Sequence, residues 1–508
     1  MVMLMVERVI KMSEQTMPNW LEQRAFLTPE RIALVTEDET LTFSELQQRT
    51  KEMAARLSSI GIQRGEHIAV YAKSSVEMVQ MIHALSYLGA VGVMLNTRLT
   101  IEELVFQVTD SSCSYIIGED SYKGTIEEIE KQTEVQSLSF EELKDCQDSS
   151  IPMLEEVKME APYTILYTSG TTGSPKGVML SYSNHWWSAV SSALNLGITE
   201  KDQWLAALPL FHVGGLSILM KSVIYGMPVH LHTSFDTEAV HDAIMNKGVT
   251  TVSVVSVMLD SLLDRLGSDH YPTNFRGMLL GGGPASEALL HKAKKKSVPV
   301  FQTYGMTETA SQIVTLSPDY ALDKIGSAGK PLFPAQLSIE LDGKPTNAHE
   351  VGEIVVKGPM VTTGYYRRPE TNEETIQQGW LRTGDLGYKD EDGFLYVVDR
   401  RKDLIISGGE NIYPAEIEGV LSGLDQVKEL GVVGKKDEKW GSVPVAFIVV
   451  RKGMTLTRED ILAFSKERLA SYKQPKEIYF VDHLPRNATN KLLRRELANW
   501  LKQRRNVQ

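Results

Sequence analysis

Tyr163-Thr-Ile-Leu-Tyr-Thr-Ser-Gly-Thr-Thr-Gly-Ser-Pro-Lys-Gly177 begins as an apolar run suited to a buried strand and empties into hydroxyls, glycines and one lysine. Gly170, Gly173 and Gly177 carry no Cβ, so the backbone can turn sharply and bring N–H groups against an anion. Thr168, Ser169, Thr171 and Thr172 add hydroxyl donors, and Lys176 adds a compact positive charge. A plain polar loop would account for one or two of these features, whereas a loop that holds phosphate needs them grouped behind a strand. The common P-loop is excluded, because it requires Gly-Lys-Ser/Thr after four spacer residues and here Lys176 follows Pro175 and precedes Gly177.

Outward from this stretch the chain alternates. Ser44 with Gln47 forms a capping box, and Leu46, Met53, Ala54 and Leu57 mark one face of a helix over 44–60 that Gly61 ends. His67–Ala72 is predicted as a strand, 75–88 as a helix and Ala90–Leu95 as a strand, a spacing that implies a parallel sheet with right-handed crossovers. Thr251–Val255, Met278–Leu280 and Val298–Phe301 continue the pattern, so the large N-terminal part is α/β. Near residue 399 the character changes: short strands at 394–398, 404–406, 429–434, 444–450 and 477–481 and helices near 414–424 and 458–469 predict a compact α+β module. The expected division is a leader over 1–16, a large domain over 17–399, a hinge at 400–402 within the charged run Asp399-Arg-Arg-Lys-Asp403, and a small mobile domain over 403–508.

At 508 residues the chain is too long for one ordinary core. The formal charge of −12 argues against nucleic acid as principal partner and requires the positive charge for any phosphate ligand to be supplied locally. Cys113 and Cys146 form neither a metal pattern nor a disulfide framework, which fits a reducing cytoplasm. Residues 1–10 are apolar but contain Glu7 and Arg8 and are too short to span a membrane; no targeting signal is expected, and Met12 and Met17 are alternative starts. Oligomeric state stays open, a homo-oligomer included.

Further motifs follow in order: Leu208-Pro-Leu-Phe-His212-Val-Gly-Gly215, Gly281-Gly282-Gly283-Pro284-Ala285, Tyr304-Gly305-Met306-Thr307-Glu308-Thr309, Leu381-Arg-Thr-Gly-Asp385-Leu386, Ser407-Gly408-Gly409-Glu-Asn-Ile-Tyr-Pro-Ala-Glu416 and Leu484-Pro-Arg-Asn-Ala-Thr-Asn-Lys491-Leu-Leu-Arg494. Alone, each has a plainer reading: a glycine run in a turn, a core histidine, an aspartate capping a turn, a solvated lysine. A glycine run after a strand does let a flat ring lie close to the backbone. The cluster Lys292, Lys294, Lys295 and Lys296 is a solvated helix face.

Taken together with the 163–177 loop, these stretches resemble the ANL superfamily of adenylate-forming enzymes, covering essentially the whole chain from about residue 17. The resemblance implies that ATP is held by the phosphate loop, Gly282, Gly283, Pro284, Tyr304 stacking on adenine, Gly305, Thr307 at the adenylate phosphate, and Asp385 and Arg400 at the ribose. It further implies Mg²⁺ on Glu308, a gating role for His212 at the acyl pocket, Lys491 as catalytic lysine, Lys402 as hinge, and Gly408-Gly409 beside the coenzyme A channel in a second half-reaction. Asn490 departs from the glycine usual before that lysine.

Outside the shared motifs, Ser191–Glu200, Lys221–Gly226, Ser311–Pro318, Gly326–Leu332 and Asp403–Tyr413 resemble the bacterial o-succinylbenzoate:CoA ligases of menaquinone biosynthesis. The implied substrates are 2-succinylbenzoate, ATP and coenzyme A. The second carboxylate of that acid needs a partner in an apolar pocket, and Lys221, Ser311 and Gln312 are the candidates. Ligases for other aryl or fatty acids, an adenylation domain serving a carrier protein and a catalytically silent nucleotide-binding protein are the rivals; retention of Lys491, Glu308, Asp385 and Arg400 speaks against the last.

Overall fold

The computed structural model describes residues 15–147, 152–168, 175–282, 285, 287–399, 404–485 and 492–505. The quoted stretch is an antiparallel hairpin: the strand Pro162–Thr168 pairs with Lys176–Ser181, with Lys176 opposite Thr168. Pro162–Thr168 also runs parallel to Val91–Met94, which pairs in parallel with His67–Tyr71 and, beyond it, Cys113–Gly118 and Gln136–Ser139. These six strands and Gly364–Tyr365 form a seven-stranded sheet. Gly177 is a correction: it sits in a strand rather than a sharp turn, and a Cβ there would lie 2.9 Å from Ile165 Cγ2, so its value is space for the neighbouring strand.

The helix Val76–Leu88 explains how this sheet is covered. Ser75 caps its N-terminus, every residue from Met78 to Leu88 is buried, and Gly89 closes it in the left-handed conformation at φ 67°. Truncating a residue such as Leu85 to alanine would cost about 2–5 kcal/mol. The preceding helix, Phe43–Ser59, corrects the expected cap. Two overlapping pairs fit the sequence rule, Thr42 with Glu45 and Ser44 with Gln47, and the structure uses the first. A carboxylate accepts more strongly than an amide: Glu45 takes the Thr42 N–H at 2.8 Å and its hydroxyl at 2.9 Å, while Phe43 is fully buried behind the cap.

A second, larger sheet has a parallel centre, Val229–Leu231, Trp204–Ala206, Thr251–Val254, Gly277–Leu280 and Val300–Met306 in that order. From Val300–Met306 it turns antiparallel through Ser311–Leu316 and Ser327–Pro331 and continues into Leu395–Asp399, Trp380–Lys389, Gly352–Lys357 and Gln336–Leu341. The antiparallel extension was not foreseen. Its strand Leu395–Asp399, grouped by pattern with the small module although the division at 399 leaves it in the large domain, pairs with Ser327–Pro331 and Trp380–Lys389 in this sheet.

A third sheet of five strands is built from Ile405–Ser407, Glu410–Ile412, Val427–Asp437, Gly441–Val450 and Glu477–Phe480, and the helices Pro414–Leu421 and Arg458–Arg468 share its core. This part docks on the large one through buried charge. Lys473 Nζ lies 2.6 Å from Glu103 of the helix Ile101–Asp110 and 2.7 Å from Glu416 of its own part, and Glu103 also accepts the Ala470 N–H at 3.1 Å. Burial alone would make the Lys473 ammonium easier to deprotonate, but the two carboxylates outweigh it and raise its pKa; burial raises that of Glu416. The expected hinge, 400–402, lies outside the described residues.

Candidate active site at the junction of the two parts

A cavity of about 810 Å³ opens where the ends of both large sheets meet the small part. Thr168, His212, Gly282, Gly305, Thr307, Ser311, Gln312, Gly408 and Gly409 all line it, so residues from six separated motifs converge. The placement follows from the fold: Thr168, Gly281–Gly282 and Gly305–Thr307 each stand at or just past the C-terminal end of a strand, where open α/β sheets hold their ligands.

Gly282 adopts φ 81°, which a glycine permits. Gly305 sits at a bulge in the pairing of Val300–Met306 with Ser311–Leu316, and a Cβ would strike the Ser311 carbonyl oxygen at 2.1 Å. Ser311 itself holds φ 110° and Ala310 φ 51°, a strained corner pinned where the Thr309 hydroxyl donates to the Ser311 carbonyl and Ser188 to that of Ala310, each at 2.7 Å.

Glu308 lies beneath the cavity wall, 4% exposed, and its Oε1 accepts the Tyr365 hydroxyl at 2.9 Å. The ring of Tyr365 also lies 5.5 Å from Lys176 Nζ, so one tyrosine joins the expected metal carboxylate to the phosphate-loop lysine. Asp385 is buried, accepts the Tyr304 hydroxyl at 2.8 Å and takes its backbone geometry from Thr383. Tyr304 is 2% exposed and packs with Ile313, Val314 and Met360.

Lys221 is 1% exposed on the helix Val213–Tyr225 and does not line the cavity. It stands one turn after Ser217, which does, and its Nζ is 4.7 Å from the centre of the Trp204 ring. Trp204 Nε1 donates to Ser253 Oγ, another wall residue. Among the described residues Lys221 has no carboxylate partner, and burial lowers its pKa to about 7. In front of it Ser217 Oγ reaches Ser311 Oγ at 3.5 Å. Gln312 donates to Thr315 and leaves a buried Oε1 without a hydrogen-bond partner among the described residues; rotating the amide by half a turn lets Thr315 donate to Oε1 and turns the N–H groups around.

The hairpin Ile405–Ile412 brings the small part to the cavity. Gly408 and Gly409 turn at φ 57° and 88°, the Gly408 N–H donates to the Trp440 carbonyl, and a Cβ on Gly408 would press on the Trp440 ring at 2.9 Å. The next residue, Glu410, was not singled out from the sequence although it lies in the quoted motif. It is buried against Arg98 at 2.9 Å, His212 Nε2 at 3.3 Å and Asn96 at 3.5 Å. Burial alone would raise its pKa, but the neighbouring His212, Arg98 and Lys473 bring it below the usual value. Trp440, Tyr472 and Lys473, also on the cavity, carried no sequence signal beyond their types. Ser169, Gly170, Thr171, Thr172, Gly173, Gly283, Pro284, Arg400, Lys402 and Lys491 lie outside the described residues.

A strand-end cavity lined by Thr168 and Pro175, the residues that flank the hydroxyl-and-glycine stretch, and met by the second part is that of a nucleotide-dependent acyl-activating enzyme, and the comparisons agree. Residues 21–366 match the model of the AMP-binding enzyme family and residues 416–491 that of the AMP-binding enzyme C-terminal domain; the chain belongs to this family. It is 54% identical, over 96% of its length and the whole of the relative, to a 2-succinylbenzoate–CoA ligase of Bacillus cytotoxicus. It is 50% identical to the o-succinylbenzoate CoA synthetase of Bacillus subtilis. A double mutant of that protein bound with its product analogue OSB-NCoA overlays with a TM-score of 0.91 over 96% of this chain and 99% of that one. The same protein with the acyl-adenylate intermediate OSB-AMP gives 0.75 over 95% and 98%, and with ATP and magnesium ion 0.75 over 95% and 100%.

Proposed function

We propose that this chain is an AMP-forming 2-succinylbenzoate–CoA ligase acting in menaquinone biosynthesis. The observation that carries the reading is near-full-length similarity to such ligases together with a cavity that gathers the phosphate-loop strand, the Gly305–Thr307 corner and the Gly408-Gly409 turn. In the first half-reaction the succinyl carboxylate attacks the α-phosphorus of ATP, giving an acyl-adenylate and pyrophosphate. Lys176 and the loop before it cradle the phosphates, Thr307 meets the adenylate phosphate, Asp385 accepts from the ribose hydroxyls, and Lys491 neutralises charge on the transferring phosphorus.

Glu308 fits magnesium, since it is a single buried carboxylate held by Tyr365, and an ion carried on triphosphate asks for little more from the protein. When bound, the ion supplies charge neutralisation as pyrophosphate leaves. Among the described residues there is no cluster of three or more metal-ligating side chains, which fits a metal brought in with its nucleotide.

In the second half-reaction the coenzyme A thiol displaces AMP. The docked hairpin and the higher similarity to the product-analogue complex support the reading that the present arrangement is the one for thioester formation. Rotation about Lys402 would then exchange it for one that presents Lys491, a gating motion of ordinary kind. The ring carboxylate of the substrate is drawn to the wall of Ser217, Ser311 and Gln312, with the buried charge of Lys221 behind it. No described helix is long and apolar enough to cross a membrane, and a cytoplasmic setting follows from the reducing composition rather than from the fold.

The test is production of AMP and acyl-CoA from ATP, Mg²⁺ and coenzyme A with 2-succinylbenzoate, benzoate, 4-coumarate or a medium-chain fatty acid supplied singly. Turnover confined to succinylbenzoate is expected; turnover with another acid alone would keep the chemistry and overturn the substrate.

A further inference from the structure

Tyr365 is buried on the two-residue strand Gly364–Tyr365, which runs antiparallel to Lys176–Ser181 with Tyr365 opposite Val178. Its backbone is clamped. Asn372 of the helix Pro369–Thr375 accepts the Tyr365 N–H at 2.7 Å and donates to its carbonyl at 2.9 Å, and the Tyr366 N–H donates to the Gly177 carbonyl at 2.8 Å. Glu308 is tied to the same strands: its carbonyl accepts the Thr362 N–H at 2.8 Å, and the Thr362 hydroxyl donates to the Met179 carbonyl. The Tyr365 hydroxyl then donates to Glu308 Oε1 at 2.9 Å, the one hydrogen bond that this carboxylate makes among the described residues. The terminal torsion of a glutamate is broad, so a buried carboxylate with one fixed donor takes its orientation from that donor. A neutral hydroxyl does this without cancelling the charge a metal needs, which an ammonium or guanidinium in its place would do.

We infer that Tyr365 is a positioning residue of adenylate formation: it occupies Oε1 of Glu308 and leaves Oε2 to take the magnesium carried on ATP. This rests on the assignment of Glu308 to magnesium in the ligase reading above. The same ring lies 5.5 Å from Lys176 Nζ, and its strand is paired to the one that begins at Lys176. Tyr365 therefore fixes the metal carboxylate relative to the phosphate-loop lysine, so that both meet one triphosphate in a set relation. A partner that orients a metal ligand in this way contributes about 10–100-fold to metal affinity. Nothing in the small part takes part in the arrangement, so its effect belongs to the first half-reaction alone.

The experiment is calorimetric titration of the full chain with ATP, once with Mg²⁺ and once with EDTA, in Tyr365→Phe, which keeps the ring and removes the hydroxyl. Kd for Mg·ATP should rise about tenfold, while Kd for metal-free ATP stays within about twofold of wild type. In a Glu308→Gln background the same change should alter Kd for Mg·ATP by less than about twofold, because the hydroxyl then has no metal carboxylate to orient. Asn372→Ala, which frees the Tyr365 backbone and leaves the hydroxyl, should raise Kd for Mg·ATP about threefold, and it decides the matter if Tyr365→Phe does not fold. The Mg²⁺ concentration that half-saturates pyrophosphate release should shift with Kd, and thioester formation from presynthesised acyl-adenylate should stay within about twofold of wild type. An unchanged Kd for Mg·ATP in Tyr365→Phe overturns the inference, as does equal weakening with and without metal, the mark of a merely structural role. Wild type whose ATP affinity ignores Mg²⁺ overturns the assignment of Glu308 and this inference with it. The titration uses no acid, so metal-dependent ATP binding without pyrophosphate release from succinylbenzoate overturns the substrate reading alone.

Discussion

Ser311 and Lys221 each sacrifice stability where the substrate is expected to bind. The φ of 110° at Ser311 lies in a region costly for a side chain, so Ser311→Gly should raise the melting temperature, by roughly 1–3 kcal/mol of stability, while Ser311→Ala should not. Both remove the hydroxyl that faces Ser217, and both should raise KM for succinylbenzoate; equal melting temperatures for the two variants would deny the strain. Lys221 is buried without a carboxylate partner among the described residues and its pKa falls to about 7. The unfolded chain keeps its lysine protonated up to about pH 10, so it binds more protons than the native state from pH 7 to 10 and stability rises with pH across that window. Lys221→Met should therefore melt higher than wild type, the gap being widest at about pH 6 and closing toward pH 10. It should also raise KM for succinylbenzoate about 30-fold or more while leaving KM for ATP unchanged, and wild-type KM for the acid should climb above about pH 7 as the ammonium is lost. An unchanged KM removes Lys221 from substrate binding. At this scale the sequence disclosed identities better than contacts: His212, Thr307 and Ser311 sit on the cavity as expected, but Lys221 stands behind its wall, because one helical turn separates it from Ser217 and no spacing rule says how thick a wall is. Glu410 escaped notice because its partners, Arg98 and His212, are about 312 and 198 residues away in sequence.

Local signals were strongest where a helix or strand answers to its own residues. The Val76–Leu88 helix was legible as a helix over 75–88, though not its Ser75 cap or Gly89 stop, and the Gly408-Gly409 turn came only with the family resemblance. Where two local rules competed, as at Thr42 and Ser44, charge decided, and where a strand was short and two-sided, as at Leu395–Asp399, its sheet could not be known from pattern. The helix Ile101–Asp110 shows an element serving two purposes. Glu103 completes its capping box with Thr100 and is also the anion that receives Lys473 and the Ala470 N–H from the small part. Glu103→Gln keeps an acceptor for the cap but discharges the pair, so it should leave adenylate formation near wild type and slow thioester formation about tenfold or more, since breaking a buried pair costs about 3–5 kcal/mol where it is formed. Stopped-flow measurement of the two half-reactions checks this, and equal slowing of both would assign Glu103 to the fold of its helix alone.

For the whole molecule, composition and alternation were enough to separate a large α/β part from a small α+β one, but not to say how they face each other. That relation is set by side-chain charge at the seam, Lys473 with Glu103 and Glu416 and Glu410 with Arg98 and His212, and such long-range pairs leave no periodicity in a sequence. If the small part alternates between two orientations, Lys491→Ala should abolish adenylate formation and spare thioester formation from presynthesised acyl-adenylate. The central claim is that this chain joins 2-succinylbenzoate to coenzyme A through an acyl-adenylate. The most direct measurement is a single-turnover reaction with enzyme in excess, ATP, Mg²⁺ and 2-succinylbenzoate, quenched before and after addition of coenzyme A. Enzyme-bound acyl-adenylate with one equivalent of pyrophosphate before addition, and its conversion to acyl-CoA and AMP afterwards, is the predicted result. Acyl-CoA formed without any adenylate, or an adenylate that coenzyme A does not discharge, would contradict it.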